Sequence, residues 1–220
     1  MRKLLAILFG LCLFFGISYS AEPIGKAVLA DLLLANKAQR DGNLKEKYQT
    51  VGPVAVVLYC SEPGEDPYAI FNQDKDQLAV VRTAGNTISI PGTFADSVEI
   101  GSIEYPVHYQ GTPLVVVVGH TDCAVVDTVL GFAETDTGGP AGNMNNVFHV
   151  IRPSVTLAMK AKESHEDRFH EAVVNHVKNM VYRLKKSNYL LGKKVQAGEL
   201  VIVGCLYDAE QGTVEVVDMK

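Results

Sequence analysis

Apolar positions along the chain follow two patterns, short continuous runs and longer runs with helical spacing. Between residues 27 and 39 apolar side chains recur every three or four positions, and Asp41 and Gly42 follow, which predicts an amphipathic helix that ends there. Similar spacing predicts helices over residues 95–108, 123–132, 147–161 and 166–189. Continuous runs rich in β-branched residues predict strands over residues 54–60, 77–82, 114–118, 199–208 and 212–218.

The order of these elements predicts an α/β fold. Strands that are apolar along their whole length have both faces covered, so strands alternating with helices predict a mainly parallel β-sheet flanked by helices. A turn at residues 210–212 predicts an antiparallel edge at the end of the chain. The polar stretch 134–146 is predicted to be a loop. No repeat or linker interrupts residues 21–220, which are expected to form one domain.

The first twenty residues are typical of a secretory signal peptide. Met1, Arg2 and Lys3 form a basic start, residues 4–17 are apolar, and small residues surround Ser20. The apolar run of about 14 residues is shorter than the roughly 20 that span a bilayer, although an uncleaved anchor is the alternative. We therefore expect residues 1–20 to be removed. The mature protein is then periplasmic or secreted, without a membrane association.

Charge and composition narrow the class of partner. The 220 residues carry a formal net charge of -5, and no block of Lys and Arg is present. Nucleic-acid binding depends on clustered cations that release counterions, so nucleic acid is not expected as a partner. A hydrophobic content of 47% suits one well-buried core. A small molecule or another protein is the expected partner.

The ends of two predicted strands carry side chains that bind metals. Cys60 closes the first strand, and His120 and Cys123 follow the third. Because ligands collect at the carboxyl ends of parallel strands, these side chains are expected to meet. Two thiolates and an imidazole suit Zn²⁺, and three protein ligands leave a fourth position open. The alternatives are an ordinary strand-to-helix turn and a disulfide between Cys60 and Cys123 in an oxidising compartment.

Three blocks of the chain resemble the β-class carbonic anhydrases. They are residues 60–86 (CSEPGEDPYAIFNQDKDQLAVVRTAGN), 102–126 (SIEYPVHYQGTPLVVVVGHTDCAVV) and 198–217 (GELVIVGCLYDAEQGTVEVV). The resemblance implies the β-carbonic-anhydrase-like fold, Zn²⁺ held by Cys60, His120 and Cys123, and attack of zinc-bound hydroxide on CO₂ to give bicarbonate. It also implies a homodimer or a dimer of dimers, with the first helix reaching across to the second subunit.

The first motif of that family departs from its usual form in this chain. The family has Cys-x-Asp-x-Arg, and this chain has Cys60-Ser61-Glu62-Pro63-Gly64. The resemblance makes Glu62 the altered catalytic group that orients the hydroxide, but the arginine that keeps the carboxylate off the metal is absent. Glu62 then either closes the zinc site, leaving a weakly active or non-catalytic relative, or is held by another cation such as Arg82. A carbonyl sulfide or carbon disulfide hydrolase on the same scaffold is a further alternative.

Structural roles are predicted for several residues close to the expected site and for the remaining cysteine and histidines. Asp122 is predicted to be an N-cap, with hydrogen bonding to His120 as the alternative. Gly85 and Asn86 are predicted to form a tight turn close to the site. Cys205 is expected to pack in the core. The remaining histidines, including His176, show no ligand partner in the sequence and are predicted to be solvated or satisfied.

Overall fold

The computed structural model describes residues 22–42, 52–62, 64–89, 98–187 and 189–219. The predicted signal peptide lies outside these residues, as does the start of the helix predicted at residue 95. Among the described residues, no helix combines the length and apolar character needed to cross a membrane.

Seven α-helices and five strands follow one another along the described chain. The helices are α1 (Ile24–Arg40), α2 (Pro67–Ile70), α3 (Val98–Tyr109), α4 (Ala124–Thr135), α5 (Met144–Ala161), α6 (His165–Ser187) and α7 (Tyr189–Gln196). The strands are β1 (Ala55–Cys60), β2 (Leu78–Thr83), β3 (Leu114–His120), β4 (Val201–Asp208) and β5 (Thr213–Asp218).

The strands form one sheet in the order β2-β1-β3-β4-β5. β2, β1, β3 and β4 are parallel, and β5 runs antiparallel to β4. The predicted α/β fold with a mainly parallel sheet is therefore confirmed, as is the antiparallel edge. Because β1 and β3 are neighbours and run in the same direction, Cys60 and His120 end their strands at the same edge.

Helices cover both faces of the sheet, which explains the continuous apolar strands. Every residue of β1 and β3 is buried. α1 packs one row of their side chains through Val28, Leu29 and Leu32, and α3, α6 and α7 cover the other face. Cys205 is fully buried on the α1 side, so its predicted place in the core is confirmed. A third apolar cluster, from α4, α5 and α6, surrounds Cys60 and Cys123.

Two segments differ from the sequence predictions. The helix predicted over residues 166–189 is α6, which ends at Ser187, but α7, which begins at Tyr189, was not predicted. At Gly192 of α7 a Cβ would lie 2.7 Å from the Lys185 carbonyl oxygen, so α7 folds back closely on α6. The short helix α2, which follows the motif, was also not predicted; Asp66 caps it by accepting from the Tyr68 N–H at 3.1 Å.

α6 lies directly on two strand glycines. A Cβ at Gly119 would stand 2.7 Å from Val177 Cγ2 and 2.9 Å from Val173 Cγ1, and one at Gly204 would stand 2.6 Å from Val177 Cγ1. Gly119 precedes His120 in β3, so this close contact also determines the distance between α6 and the end of β3.

We expect Gly119→Ala to lower the free energy of unfolding by about 1–3 kcal/mol, because the methyl group overpacks the contact with α6. Gly131→Ala is the matched control, since Gly131 lies within α4 with no neighbouring atom within 4 Å of a Cβ. That control is expected to raise stability by about 0.5–1 kcal/mol through helix propensity. Urea denaturation of both variants measures the difference, and a Gly119→Ala protein as stable as the parent would contradict the prediction.

Candidate metal centre

Four side chains meet at the carboxyl edge of the sheet. Potential ligand atoms of Cys60, Glu62, His120 and Cys123 all lie within 4.8 Å of one another. Cys60 and His120 are the last residues of β1 and β3, and Cys123 directly precedes α4. The structure thus brings together the three residues predicted as zinc ligands and the predicted catalytic Glu62.

The two cysteines of the cluster are buried thiols. Cys60 and Cys123 are free, as is Cys205, so the disulfide that the sequence left open is not formed in the structure. Cys60 is 0% exposed and Cys123 is 1% exposed. Their depth keeps the sulfur atoms away from bulk water, while Glu62 and His120 connect them to the surface.

The imidazole of His120 is arranged as a metal ligand. Its Nδ1 lies 2.6 Å from Asp122 Oδ1, so the ring N–H donates to that carboxylate. Its Nε2 is buried and has no hydrogen-bond partner among the described residues. A buried polar atom without a partner is costly, and a lone pair aimed at two thiols suits Zn²⁺. These residues therefore fit the metal that their donor chemistry implies.

Asp122 is not the N-cap that the sequence predicts. The N-cap position of α4 belongs to Cys123, and no side chain caps the helix there. The turn after β3 instead places the carboxylate of Asp122 beside His120 Nδ1, so the alternative prediction of a hydrogen bond to His120 is the one that the structure shows. Such a carboxylate fixes the tautomer of a metal-binding histidine and increases its basicity.

The protonation of the two thiols is coupled. A hydrogen bond from Cys123 is the main cause that lowers the pKa of Cys60 to about 3, with smaller contributions from His120 and backbone N–H groups. The same hydrogen bond and burial raise the pKa of Cys123. Cys60 therefore loses its proton more readily than Cys123, whose proton is held in the hydrogen bond to Cys60. Binding of a divalent cation as a dithiolate complex must release that proton.

Glu62 points into the cluster instead of away from it. Its Oε2 lies 3.3 Å from Cys60 Sγ and 3.7 Å from His120 Nε2. Burial raises the pKa of this carboxyl. A carboxylate and a thiolate at this separation repel one another unless a proton or a cation lies between them. The contact is thus a hydrogen bond in the metal-free protein, and a cation bound at this position would replace its proton.

Arg82 binds the backbone of the motif and not the Glu62 carboxylate, for which the sequence offered it as a cation. Its Nε donates to the Cys60 carbonyl oxygen at 2.9 Å, and its Nη2 donates to the Glu62 carbonyl oxygen at 2.9 Å. The guanidinium also lies over the Tyr59 ring, 5.4 Å from its centroid. Arg82 therefore holds the backbone of the motif, and no ion pair joins it to the Glu62 carboxylate in the described chain.

The turn after β2 also contacts the cluster. Gly85 and Asn86 both have positive φ, 61° and 44°, which confirms the predicted tight turn. The Gly85 N–H donates to Cys60 Sγ at 3.2 Å. This hydrogen bond could not be predicted, because nothing in the amino-acid sequence shows which backbone group of a turn faces a sulfur atom.

A cavity of about 230 Å³ opens beside the cluster. Its lining combines the exposed sides of Glu62, His120 and Asp122 with five further residues: Tyr59, Gly64, Glu65, Tyr207 and Ala209. At Gly64 a Cβ would meet no atom of the described residues within 4 Å. The cavity admits a molecule of a few heavy atoms to the side of the cluster that Glu62 occupies.

Comparison with known proteins identifies the family. Residues 55–214 match the sequence model of the family described as carbonic anhydrase. Carbonic anhydrase 2 of Mycobacterium tuberculosis is 34% identical over 160 residues, covering 73% of this chain and 72% of the relative. A carbonic anhydrase of Mycolicibacterium smegmatis is 33% identical over 169 residues, covering 76% of each chain. The protein therefore belongs to the carbonic anhydrase family.

Solved structures agree on the class of fold. A Coccomyxa β-carbonic anhydrase in complex with acetazolamide superposes with a TM-score of 0.65 at 18% identity, covering 88% of this chain and 82% of the other. A tetrameric β-carbonic anhydrase from Sordaria macrospora gives 0.64 at 17% identity, covering 87% and 91%. The fold is that of the β-class, as the sequence blocks predicted.

We expect Asp122→Asn to weaken Zn²⁺ binding by about tenfold or more, because the amide removes the charge that supports His120 Nδ1–H. Glu65→Gln is the control, since it removes a carboxylate from the same cavity. Competition with a chromophoric chelator measures both affinities. Equal affinities in Asp122→Asn and the parent would contradict the role assigned to Asp122.

Proposed function

We propose that the protein is a zinc-dependent carbonate dehydratase that interconverts CO₂ and bicarbonate. One observation carries this proposal: in a member of the carbonic anhydrase family, the buried His120 Nε2 lies with Cys60 and Cys123 and has no hydrogen-bond partner in the described chain. Zn²⁺ bound there supplies the Lewis acidity that makes a water molecule nucleophilic near neutral pH. The adjacent cavity gives a small, uncharged substrate access to this position.

The side chains around the cluster have separate tasks in this reaction. Cys60, His120 and Cys123 hold the metal, and Asp122 keeps the His120 ring in the required tautomer. Glu62, displaced from the ligand atoms, accepts a hydrogen bond from the attacking water and thereby orients its lone pair toward CO₂. Arg82 keeps Glu62 at a constant backbone position.

A second candidate function is a weakly active zinc-binding relative. The contacts of Glu62 Oε2 with Cys60 Sγ at 3.3 Å and His120 Nε2 at 3.7 Å favour it, since a carboxylate placed there is a fourth ligand for Zn²⁺. With four protein ligands the site is closed, and water cannot reach the metal.

Assembly and export belong to the same proposal. We propose a homodimer or a dimer of dimers, supported by two exposed apolar side chains on α1, Ile24 (73%) and Leu34 (55%), and by the tetrameric relatives of Sordaria macrospora. Residues 1–20 support export to the periplasm or beyond.

Stopped-flow measurement of CO₂ hydration by the zinc-loaded protein tests the activity. We expect a zinc-dependent rate above that of buffer, which chelation removes and added Zn²⁺ restores. Cys123→Ser, which lacks one ligand, is the control for contaminating activity. A zinc-loaded protein with the rate of buffer would rule out the carbonate dehydratase and leave the closed site.

Two substitutions separate an orienting Glu62 from a ligating one. If Glu62 orients water, Glu62→Ala lowers the hydration rate by about 100-fold or more and leaves Zn²⁺ affinity nearly constant. If Glu62 ligates, the same change weakens Zn²⁺ binding by about tenfold or more.

Gly64→Arg places a cation in open space beside the carboxylate, and we expect it to raise the hydration rate by drawing Glu62 off the metal. No gain in Gly64→Arg would contradict the view that the missing arginine limits activity.

A further inference from the structure

We propose that His176 is a positioning residue of the metal centre: it fixes the carbonyl of Gly85, so that the N–H of Gly85 points at the Cys60 sulfur. This inference rests on the proposed zinc site. Two hydrogen bonds carry it, from His176 Nε2 to the Gly85 carbonyl oxygen at 2.9 Å and from the Gly85 N–H to Cys60 Sγ at 3.2 Å. Together they connect α6 to the metal ligand on β1.

The histidine is placed so that it can only donate to this carbonyl. His176 lies within α6 and is 1% exposed. A carbonyl oxygen accepts and never donates, so the proton of the neutral ring must be on Nε2. Burial lowers the pKa of His176 to about 4, and the ring therefore stays neutral near pH 7. Its Nδ1 has no hydrogen-bond partner among the described residues.

Gly85 needs such a restraint because its packing excludes a side chain. A Cβ at this position would lie 2.9 Å from Ile151 Cδ1 and 3.1 Å from Val125 Cγ1. Its φ of 61° and ψ of 31° lie in the left-handed region, which is one of several conformations that glycine adopts at similar energy. Close packing thus requires glycine at residue 85. Glycine has the greatest backbone freedom of any residue, yet its N–H must point at the Cys60 sulfur. The bond from His176 selects one of its conformations.

An apolar residue would fill this part of the core at a lower cost than histidine. A buried imidazole with a bare Nδ1 sacrifices hydration that a methionine or leucine never had. The cost is consistent with a gain elsewhere, and the only hydrogen bond that the structure gives the ring in the described chain ends at the turn beside Cys60. An N–H donated to a thiolate withdraws charge from the sulfur and so changes the properties of the metal that it binds.

The test compares the parent with His176→Met, which fills the space without a donor, and with His176→Gln, whose Nε2 can donate at similar reach. Met180→Ala is the control for loss of core packing, because Met180 is a fully buried residue of the same helix. The first measurement is hydrogen exchange of the Gly85 amide in the metal-free protein. The second is the energy of the thiolate-to-metal charge-transfer band after loading with Co²⁺.

We expect the Gly85 amide of His176→Met to exchange faster by about fivefold or more, the charge-transfer band to shift, and His176→Gln to restore both. Met180→Ala should lower stability and leave the band in place. An unchanged amide and an unshifted band in His176→Met would overturn the inference. If that variant does not fold, loss of amide protection in His176→Gln, or an Nδ1–H tautomer in the ¹⁵N spectrum of the parent, overturns it equally. A parent without a charge-transfer band would instead refute the zinc site itself.

Discussion

The parallel pairing of β1 with β3 is the constraint on which the rest of the site depends. Val56, Val57 and Leu58 pair with Val115, Val116 and Val117, and both strands run outward to the same edge. A shift by one residue would exchange the side chains of the two buried faces and move Gly119 away from its close contact with Val177 and Val173 of α6. The core thus fixes the register, and the register fixes where Cys60 and His120 emerge.

Burial at this edge creates an electrostatic problem that a cation resolves. The Cys60 thiol with its lowered pKa and the Glu62 carboxyl that shares a hydrogen bond with it at 3.3 Å lie against the apolar cluster of α4 and α5. His120 Nε2, which has no hydrogen-bond partner among the described residues, lies beside them. Buried charge without compensation is among the most destabilising features that a fold can carry. A divalent cation neutralises the anions and uses the free lone pair, so its binding energy contributes to the stability of the edge. The stability of the apolar packing around this edge and the affinity of the site for a cation are linked in this way.

Sequence patterns predicted what depends on order and periodicity, and missed what depends on orientation. Cys60 and His120 could be placed because strand ends share an edge in any parallel sheet. Asp122 could not, because an aspartate before a helix serves equally well as a cap or as a partner of a nearby ring, and the turn geometry decides between them. His176 gave no signal at all, since its partner is a backbone carbonyl 91 residues away. Helix α7 was missed because its eight residues are too few for helical spacing to be recognised.

Glu62 and Gly64 affect the site in two ways. The side chain of Glu62 is longer than that of an aspartate, and Gly64 has no side chain that could restrain it. Glutamate exceeds aspartate by one methylene, about 1.5 Å of reach. The two bonds from Arg82 hold the backbone carbonyls of Cys60 and Glu62, so the added length extends toward the cluster instead of being absorbed by the loop. Because residue 64 is a glycine, it offers no charged side chain that could draw the carboxylate back, and no ion pair in the described chain joins Glu62 to an arginine or lysine. In the proposed zinc site, Glu62 and water would therefore compete for the fourth position, and the free energy of moving Glu62 would determine how much of the protein is open to substrate.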